Sequence, residues 1–222
     1  MVNDMPNTSV FQRVGGVRPG MSVFDLSYVK MFTADMGQLI PVMCDEVVPG
    51  DIFKIGNQSV IRMQPLVAPV LHEINAYVHY FFVPYRLLWD DWEDFITGGV
   101  DGNDASVLPR WSPAVAPAVG SLWDYFGFVP GIVPTVTSSP IDFPKRAYNL
   151  VWNEYYRDET LQPEKVIETS QDVLIRNWEK DYFTASLPWQ QRGIAPAMPI
   201  SGIGKAVWPI IVTGKQIGRA HV

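Results

Sequence analysis

The hydrophobic pattern changes its period near residue 84, and this change predicts a strand followed by a helix. From His72 to Val83, positions that are nearly all apolar alternate with positions that hold both polar and apolar residues. This alternation is typical of a strand that covers a core on one side. Pro84 ends the alternation, because proline cannot donate to a strand ladder. Apolar residues then recur at helical spacing until Gly98 and Gly99, at Leu87, Leu88, Trp92, Phe95 and Ile96.

Shorter alternating segments precede this one and predict further strands. Ser22–Met31 suits a half-buried strand, and 37–48 is a second strand pattern, interrupted by Pro41. Residues 51–56 and 59–63 read as a short hairpin around Gly56 and Asn57. The first 22 residues show no period and favour an extended arm, although a frayed terminus fits them equally well.

The chain changes character after Gly98. Residues 98–142 are rich in proline, which predicts a long and largely irregular loop, called the excursion here. One helical turn is predicted within it, over Ser121–Phe126. A second helix is predicted from Asp142 as N-cap, with Pro144 in its first turn. Its apolar face consists of Ala147, Leu150, Val151 and Tyr155.

Three long runs of sequence carry a family resemblance. They are HEINAYVHYFFVPYRLLWDDWEDFITGG, FPKRAYNLVWNEYYRD and SVFDLSYVKMFTADMGQLIPV. Together they resemble the major capsid proteins of the Microviridae, which are small icosahedral bacteriophages with single-stranded DNA, and most closely the gokushovirus branch. The resemblance covers most of residues 5–205. It implies that this chain is the N-terminal part of a protein more than twice as long.

The resemblance also implies the fold and the domain organisation. The expected fold is mainly β, a viral jelly roll of eight antiparallel strands in two sheets, incomplete here, with long loop insertions and a few short helices. Residues 1–22 would form the N-terminal arm, and residues 23–214 the partial capsid domain. Residues 215–222, KQIGRAHV, look like the translation of a sequencing adapter, so this tail is expected to be non-native.

Composition and charge narrow the choice of partners. Aromatic residues make up 13% of the chain and charged residues only 18%, with 19 prolines, which favours surfaces that pack against partners. The net charge of −6 argues against a dedicated nucleic-acid binder. No run is long enough to span a membrane, and no signal peptide is recognisable, so the chain is expected to be made in the bacterial host cytoplasm.

Five side chains are predicted to make one of two kinds of contact, with DNA or with another subunit. Arg13 and Arg18 in the arm are predicted to contact DNA. Trp111, Trp123 and Tyr125 are predicted to make aromatic contacts between subunits. Basic residues beside aromatic ones, at Arg110 with Trp111 and at Lys145 and Arg146 with Tyr148, could stack the bases of a single strand, but ordinary loop packing explains them as well.

No catalytic, metal or cofactor site emerges from the sequence. His72 and His79 lie seven residues apart and so on opposite faces of a strand, where they cannot share an ion. The carboxylates of Asp90, Asp91, Glu93 and Asp94 suit the solvent face of a helix better than acid–base catalysis. Gly202–Lys205 lacks the residues of a phosphate loop, and the single cysteine, Cys44, is more typical of a small buried group than of a nucleophile. An enzyme is therefore not expected.

Two functions remain. The resemblance implies a structural protein of the virion whose copies form pentamers and an icosahedral shell around a circular single-stranded DNA genome. Its partners would also include a scaffolding protein, a DNA pilot protein and a small DNA-binding protein. The alternative is a jelly-roll module that binds carbohydrate or another ligand through exposed aromatic rings.

Overall fold

The computed structural model describes residues 20–69, 71–183 and 185–186, together with two short strands further on. The chain divides into two compact units, Met1–Met31 and Phe32–Val222. In the first unit, residues 20–31 contain no helix or strand, and the Ser27 N–H donates to Asp25 Oδ1 over 3.0 Å. Hydrogen bonding by the Ser27 side chain, and to a lesser extent by this backbone N–H, lowers the pKa of the exposed Asp25 carboxyl.

The second unit contains short helices separated by long irregular segments. A 3₁₀ turn over Tyr85–Leu87 precedes α1 (Trp92–Thr97), and α2 (Leu122–Tyr125) and α3 (Phe143–Val151) follow. A π-helical turn continues directly from α3 and is called the π-turn here (Trp152–Tyr156). The strands β1 (Ala197–Pro199) and β2 (Pro209–Ile211) pair antiparallel, with Met198 opposite Ile210.

The predicted helices are confirmed, except that the first α-helix begins at Trp92 and the preceding apolar residues lie in and after the separate 3₁₀ turn. α1 ends at Gly98, whose φ of 88° is left-handed and whose N–H donates to the Asp94 carbonyl over 2.7 Å. The turn predicted over Ser121–Phe126 is α2 with its two caps. α3 begins after Asp142 with proline in its first turn, but Asp142 makes no side-chain capping bond, because its carboxylate instead meets two basic side chains of α3.

The predicted apolar face of the second helix was wrong. Ala147, Leu150 and Val151 are only half-buried, and Tyr155 is 68% exposed. The buried face is partly polar and consists of Phe143, Lys145, Tyr148, Asn149, Trp152 and Asn153. The polar members are buried because the neighbouring main chain supplies hydrogen-bond acceptors for them.

Residues 20–69 and 71–83 contain no hydrogen-bonded strand in the described structure, only an isolated bridge between Gln38 and Ile175. A strand is defined by its pairing, so an alternating segment without a paired neighbour is not assigned as one. The jelly roll therefore stays a prediction. One turn in this region follows from glycine, since Gly37 has a φ of 85° and lies against Ile175.

The core lies between α2, α3 and the segment that follows the π-turn. It is built largely from aromatic rings, with Trp111 and Trp123 edge to face at a centroid distance of 5.1 Å. Leu122 is fully buried beside them. The full cluster comprises Trp111, Leu122, Trp123, Tyr148, Trp152 and Leu174. The proline-rich excursion thus supplies much of the core instead of only decorating it.

Candidate functional site

One face of α3 and the π-turn binds the main chain of residues 165–175, called the strap here. Asn149 donates through Nδ2 to the carbonyls of Ile167 and Ser170 over 3.1 and 2.9 Å. Asn153 donates to the Lys165 carbonyl over 2.8 Å and accepts the Lys165 N–H over 2.9 Å, which imitates a strand pair. These contacts recognise the strap by its backbone and not by its side chains.

Two aromatic side chains add further hydrogen bonds to the main chain of the strap. The Trp152 indole N–H donates to the Ile175 carbonyl over 2.9 Å. Tyr148 Oη donates to the Leu39 carbonyl over 3.0 Å and accepts the Leu174 N–H over 2.8 Å, so this hydroxyl joins two chain segments that also pair directly through Leu39 N–H and the Leu174 carbonyl. Burial raises the pKa of Tyr148 to about 12.

A buried charged group anchors the start of α3. Asp142 lies 2.9 Å from Lys145 Nζ, an ion pair by distance but without hydrogen-bond geometry, and its second oxygen accepts Arg146 Nε over 3.0 Å. Arg146 also donates to the Leu88 carbonyl over 2.8 Å, and Lys145 donates to the Glu168 carbonyl. The group therefore ties the 3₁₀ turn and the strap to α3.

A surface of exposed aromatic rings lies at the π-turn and is called the tyrosine groove here. It is a shallow cavity of about 500 Å³. Its lining residues are Val78, His79, Tyr80, Phe81, Tyr155 and Tyr156. None of these side chains carries a carboxylate or an amine, so the groove is aromatic and poor in charge.

Side-chain contacts hold residues 77–81 against the π-turn. His79 Nδ1 and Tyr156 Oη form a hydrogen bond of 2.5 Å, and Phe81 lies 4.9 Å from the Tyr155 ring centroid. The Arg176 guanidinium lies 5.8 Å from the centroid of the Tyr77 ring. Burial raises the pKa of Tyr156, and the nearby Arg176 partly offsets this rise. The phenol of Tyr156 is therefore protonated at neutral pH.

The residues predicted to contact other subunits are enclosed within this chain. Trp111 is 1% exposed, Trp123 6% and Tyr125 8%. Tyr125 donates from Oη to the Thr33 carbonyl over 2.8 Å, and Trp123 donates to the Val129 carbonyl over 3.0 Å. Little of their area remains for a neighbouring subunit, and such contacts stay a prediction. Arg13 and Arg18 lie outside the described residues.

The basic residues beside aromatic ones have local partners. Arg110 donates to the Ser139 carbonyl over 2.7 Å. Lys145 is buried, with Nζ 5.7 Å from the Trp111 ring centroid, and Arg146 is committed to Asp142 and Leu88. Ordinary packing thus explains Lys145 and Arg146, and it leaves neither side chain accessible to a nucleic acid.

The described residues hold no group of three or more histidine, cysteine or acidic side chains that could bind a metal ion. Among the same residues, no helix has the length and hydropathy needed to cross a membrane. Cys44 is exposed, contrary to the expectation of a small buried group. Gly202–Lys205 lies outside the described residues.

Sequence reasoning missed both the strap and the tyrosine groove. Asn149 and Asn153 lie four residues apart, which places them on one helical face, and this spacing was the available signal for a polar contact surface. The sequence carried no such signal for the exposure of Tyr155.

In comparisons with known proteins, the matching family and the similar relatives are all described as capsid proteins. A family described as capsid protein (F protein) matches residues 13–219. The chain is 37% identical to capsid protein VP1 of Chlamydia phage 1 over an alignment of length 233, which covers 90% of this chain and 37% of that protein. It is 33% identical to capsid protein VP1 of Bdellovibrio phage phiMH2K, covering 87% of this chain and 38% of the relative. The chain therefore spans little more than a third of the length of these relatives.

Proposed function

The chain belongs to the capsid protein (F protein) family, and from this premise we propose that it builds, with further copies of itself, the icosahedral shell of a phage particle. The shell encloses a circular single-stranded DNA genome. The resemblance to major capsid proteins of the Microviridae is confirmed by the family match and by the VP1 relatives. The narrower placement in the gokushovirus branch stays a prediction.

Exposed apolar side chains are the structural observation that carries this proposal. Val23 is 98% exposed and Val60 91%, and many of their neighbours between residues 21 and 82 are exposed as well. Soluble monomers rarely expose apolar patches larger than a few hundred Å². Burial of these segments against further capsid polypeptide is favourable, and a shell supplies such polypeptide.

The proposed fold of the complete capsid protein is a jelly roll. Residues 72–83 have the alternation of a strand, and no main-chain hydrogen bond joins residues 71–83 to the rest of the described chain. Their open N–H and carbonyl groups would pair with strands contributed by further capsid polypeptide. Pairing would at the same time cover the exposed Ile74 and Phe82.

The remaining partners follow from the same premise. Scaffolding, DNA pilot and small DNA-binding proteins would act with the shell, and a basic DNA-binding partner would neutralise phosphates that a chain of net charge −6 cannot. The protein would be made in the host cytoplasm and reside in the virion. Family membership favours this structural, non-enzymatic role over the ligand-binding alternative.

The test is to express the complete capsid reading frame that contains this sequence and to examine the product by size-exclusion chromatography and electron microscopy. Pentamers or closed particles are the expected result. A monomer that stays monomeric at high concentration, with its apolar segments covered internally, would contradict the shell function and support a binding module.

A further inference from the structure

The loop that follows α1 contains an aspartate directly before a glycine, Asp101 and Gly102. In such a pair the main-chain nitrogen of the glycine can attack the side-chain carboxyl carbon of the aspartate, because no Cβ on the glycine obstructs the approach. Aspartate precedes glycine at this one place in the sequence, and no asparagine precedes glycine. Whether the folded chain permits the reaction depends on how freely these two groups can move.

The Asp101 carboxylate is not committed to another group. It is exposed, and within the described residues it makes no hydrogen bond and no ion pair. Its neighbour Asp104 differs, because its two oxygens accept the Ser106 hydroxyl over 2.7 Å and the Ser106 N–H over 3.3 Å. The Asp101 side chain can therefore turn toward the main chain, whereas the Asp104 side chain is held.

The main chain around Gly102 is also open. The Gly102 N–H donates to the Gly99 carbonyl over 3.4 Å, which is long for a hydrogen bond. A Cβ placed on Gly102 would meet no atom within 4 Å apart from its chain neighbours, so the attacking nitrogen is not enclosed. Gly99 and Gly102 have φ values of 72° and 70°, and glycine adopts more main-chain conformations than any other residue. A local rotation is enough to bring the two groups together.

We propose that Asp101 is a site of spontaneous isomerisation to isoaspartate. The Gly102 nitrogen forms a bond to Cγ of the protonated Asp101 carboxyl, and the hydroxyl leaves with the amide hydrogen as water, which gives a five-membered succinimide. Water then adds to the Asp101 main-chain carbonyl carbon and breaks its bond to the Gly102 nitrogen. The main chain now runs through Cγ, and the former main-chain carbonyl is the free carboxylate. This inference does not depend on the shell function.

The modification would alter how the loop closes on α1. The Asp104 N–H donates to the Gly98 carbonyl over 3.0 Å, and residues 99–103 lie between these two groups. Isoaspartate adds one carbon atom to the main chain of this closed loop while the net charge stays the same. The bond between Asp104 and Gly98 should therefore be weakened in the modified chain.

The first test incubates the full chain at neutral pH in water enriched in ¹⁸O, followed by trypsin digestion in ordinary water. Cleavage after Arg86 and Arg110 releases a single peptide that contains Asp101 together with four other aspartates, which serve as internal controls. Electron-transfer fragmentation should locate ¹⁸O and isoaspartate at residue 101 at a level at least about tenfold above that at any other aspartate. Equal levels at all five positions, or no product at residue 101, would overturn the inference.

Two variants test the mechanism. Asp101→Glu keeps the charge but cannot close a five-membered ring, and Gly102→Ala keeps the carboxylate but places a Cβ beside the attacking nitrogen. Each should reduce the product at least about tenfold. Both positions are exposed, and tryptophan fluorescence verifies that the fold is kept. Product that persists in Asp101→Glu would show that the label arises by another reaction and would overturn the inference.

A last comparison asks whether the fold permits the reaction. A synthetic peptide of residues 87–110 serves as the unfolded reference. The full chain should react at a rate within about threefold of the peptide, because an exposed loop opens at a free energy near zero. A full chain that reacts more slowly than this would show that the loop is held or covered in the folded protein, which would overturn the inference.

Discussion

Polar side chains form much of the buried face of α3 and the π-turn. Asn149 is fully buried, and both hydrogens of its amide are used on carbonyls of the strap. A leucine at this position would match the apolar pattern of the helix but would leave those carbonyls without donors. The strap is thus fixed by hydrogen bonds whose loss is costly, because partly buried acceptors cannot readily recover water.

Replacing Asn149 by alanine tests this account. Asn149→Ala should lower the free energy of unfolding by about 1–3 kcal/mol, since two acceptors lose their donor. Urea denaturation followed by tryptophan fluorescence measures the change. Asn57→Ala is the matched control, because Asn57 is exposed and should change stability by less than about 0.5 kcal/mol. Equal losses in the two variants would contradict the role given to Asn149.

Tyr148 should make stability depend on pH in the alkaline range. Its pKa is about 12 in the folded chain, compared with 10.0 ordinarily, so the unfolded chain releases this proton first as the pH rises. The contribution is fully present below pH 10 and is lost as the pH rises through 12, by about 3 kcal/mol in total.

The measurement is urea unfolding at pH 8 and pH 11. Tyr148→Phe should lose less stability between these two pH values than the wild type does, because phenylalanine has no proton to release. Tyr182→Phe, at an exposed position, should behave as the wild type. A wild-type pH dependence retained in full by Tyr148→Phe would show that other groups cause it.

Some of these residue roles could be predicted from the sequence, and others could not. The helical position of Asn149 follows from spacing alone, but its acceptors lie eighteen and twenty-one residues further along the chain. Local pattern does not encode which backbone will return to a helix. Burial of Trp111 and Trp123 could not be predicted for the same reason, since their cover comes from remote segments, and their predicted contact with other subunits stays a prediction.

Among the elements, the π-turn has the largest effect on the surface. In a regular helix, a residue on the same side as Leu150 and Val151 would share their burial, and Tyr155 was predicted to do so. The wider turn over Trp152–Tyr156 changes this geometry and leaves Tyr155 exposed. Periodicity thus predicted the existence of this helix correctly but its buried face wrongly, both along α3 and at Tyr155.

At the opposite end of the helix, Asp142 holds two cations. Asp142→Ala should destabilise the chain by about 3–5 kcal/mol, because Lys145 and Arg146 would remain buried without their carboxylate. Thermal or urea unfolding gives the change. The control is Glu164→Ala, which removes the exposed partner of Arg157 and should cost no more than about 1 kcal/mol. A small effect of Asp142→Ala would mean that the two cations find other partners.

For the molecule as a whole, stability is expected to be uneven. The helices and strap are joined by buried side chains and many hydrogen bonds, whereas residues 51–63 are exposed throughout and contain no helix or strand. Regions with few buried contacts open at low free energy, and buried regions open only when the whole unit unfolds.

Limited proteolysis with trypsin should reveal this difference. Cleavage after Lys54 and Arg62, which are exposed, should precede cleavage after Lys145 and Arg146, which are largely covered, by at least about tenfold in time. Mass spectrometry of a time course measures the order. Simultaneous cleavage at all four positions would contradict an independently stable helical region.

The overall architecture was the feature that sequence patterns predicted least well. Family resemblance identified the capsid relationship and implied a jelly roll, and periodicity located the helices. Neither indicated that the excursion containing Trp111 and Leu122 forms much of the core in the described part of the chain. Strand pairing is a property of two segments at once, so the alternation of residues 72–83 defines a candidate strand but not its neighbour.

The backbone contacts of the strap also bear on how this protein can change over generations. Asn149 and Trp152 bind carbonyls, which every residue type provides, and Asn153 also binds an N–H, which every residue type except proline provides. Exposed strap positions such as Val166 and Ile175 can therefore change in identity while the path of the chain is kept. The spacing cannot drift in the same way. A single deletion between Ile167 and Ser170 would shift one of the two carbonyls out of reach of Asn149, so the strap should tolerate a change of residue type better than a change of length.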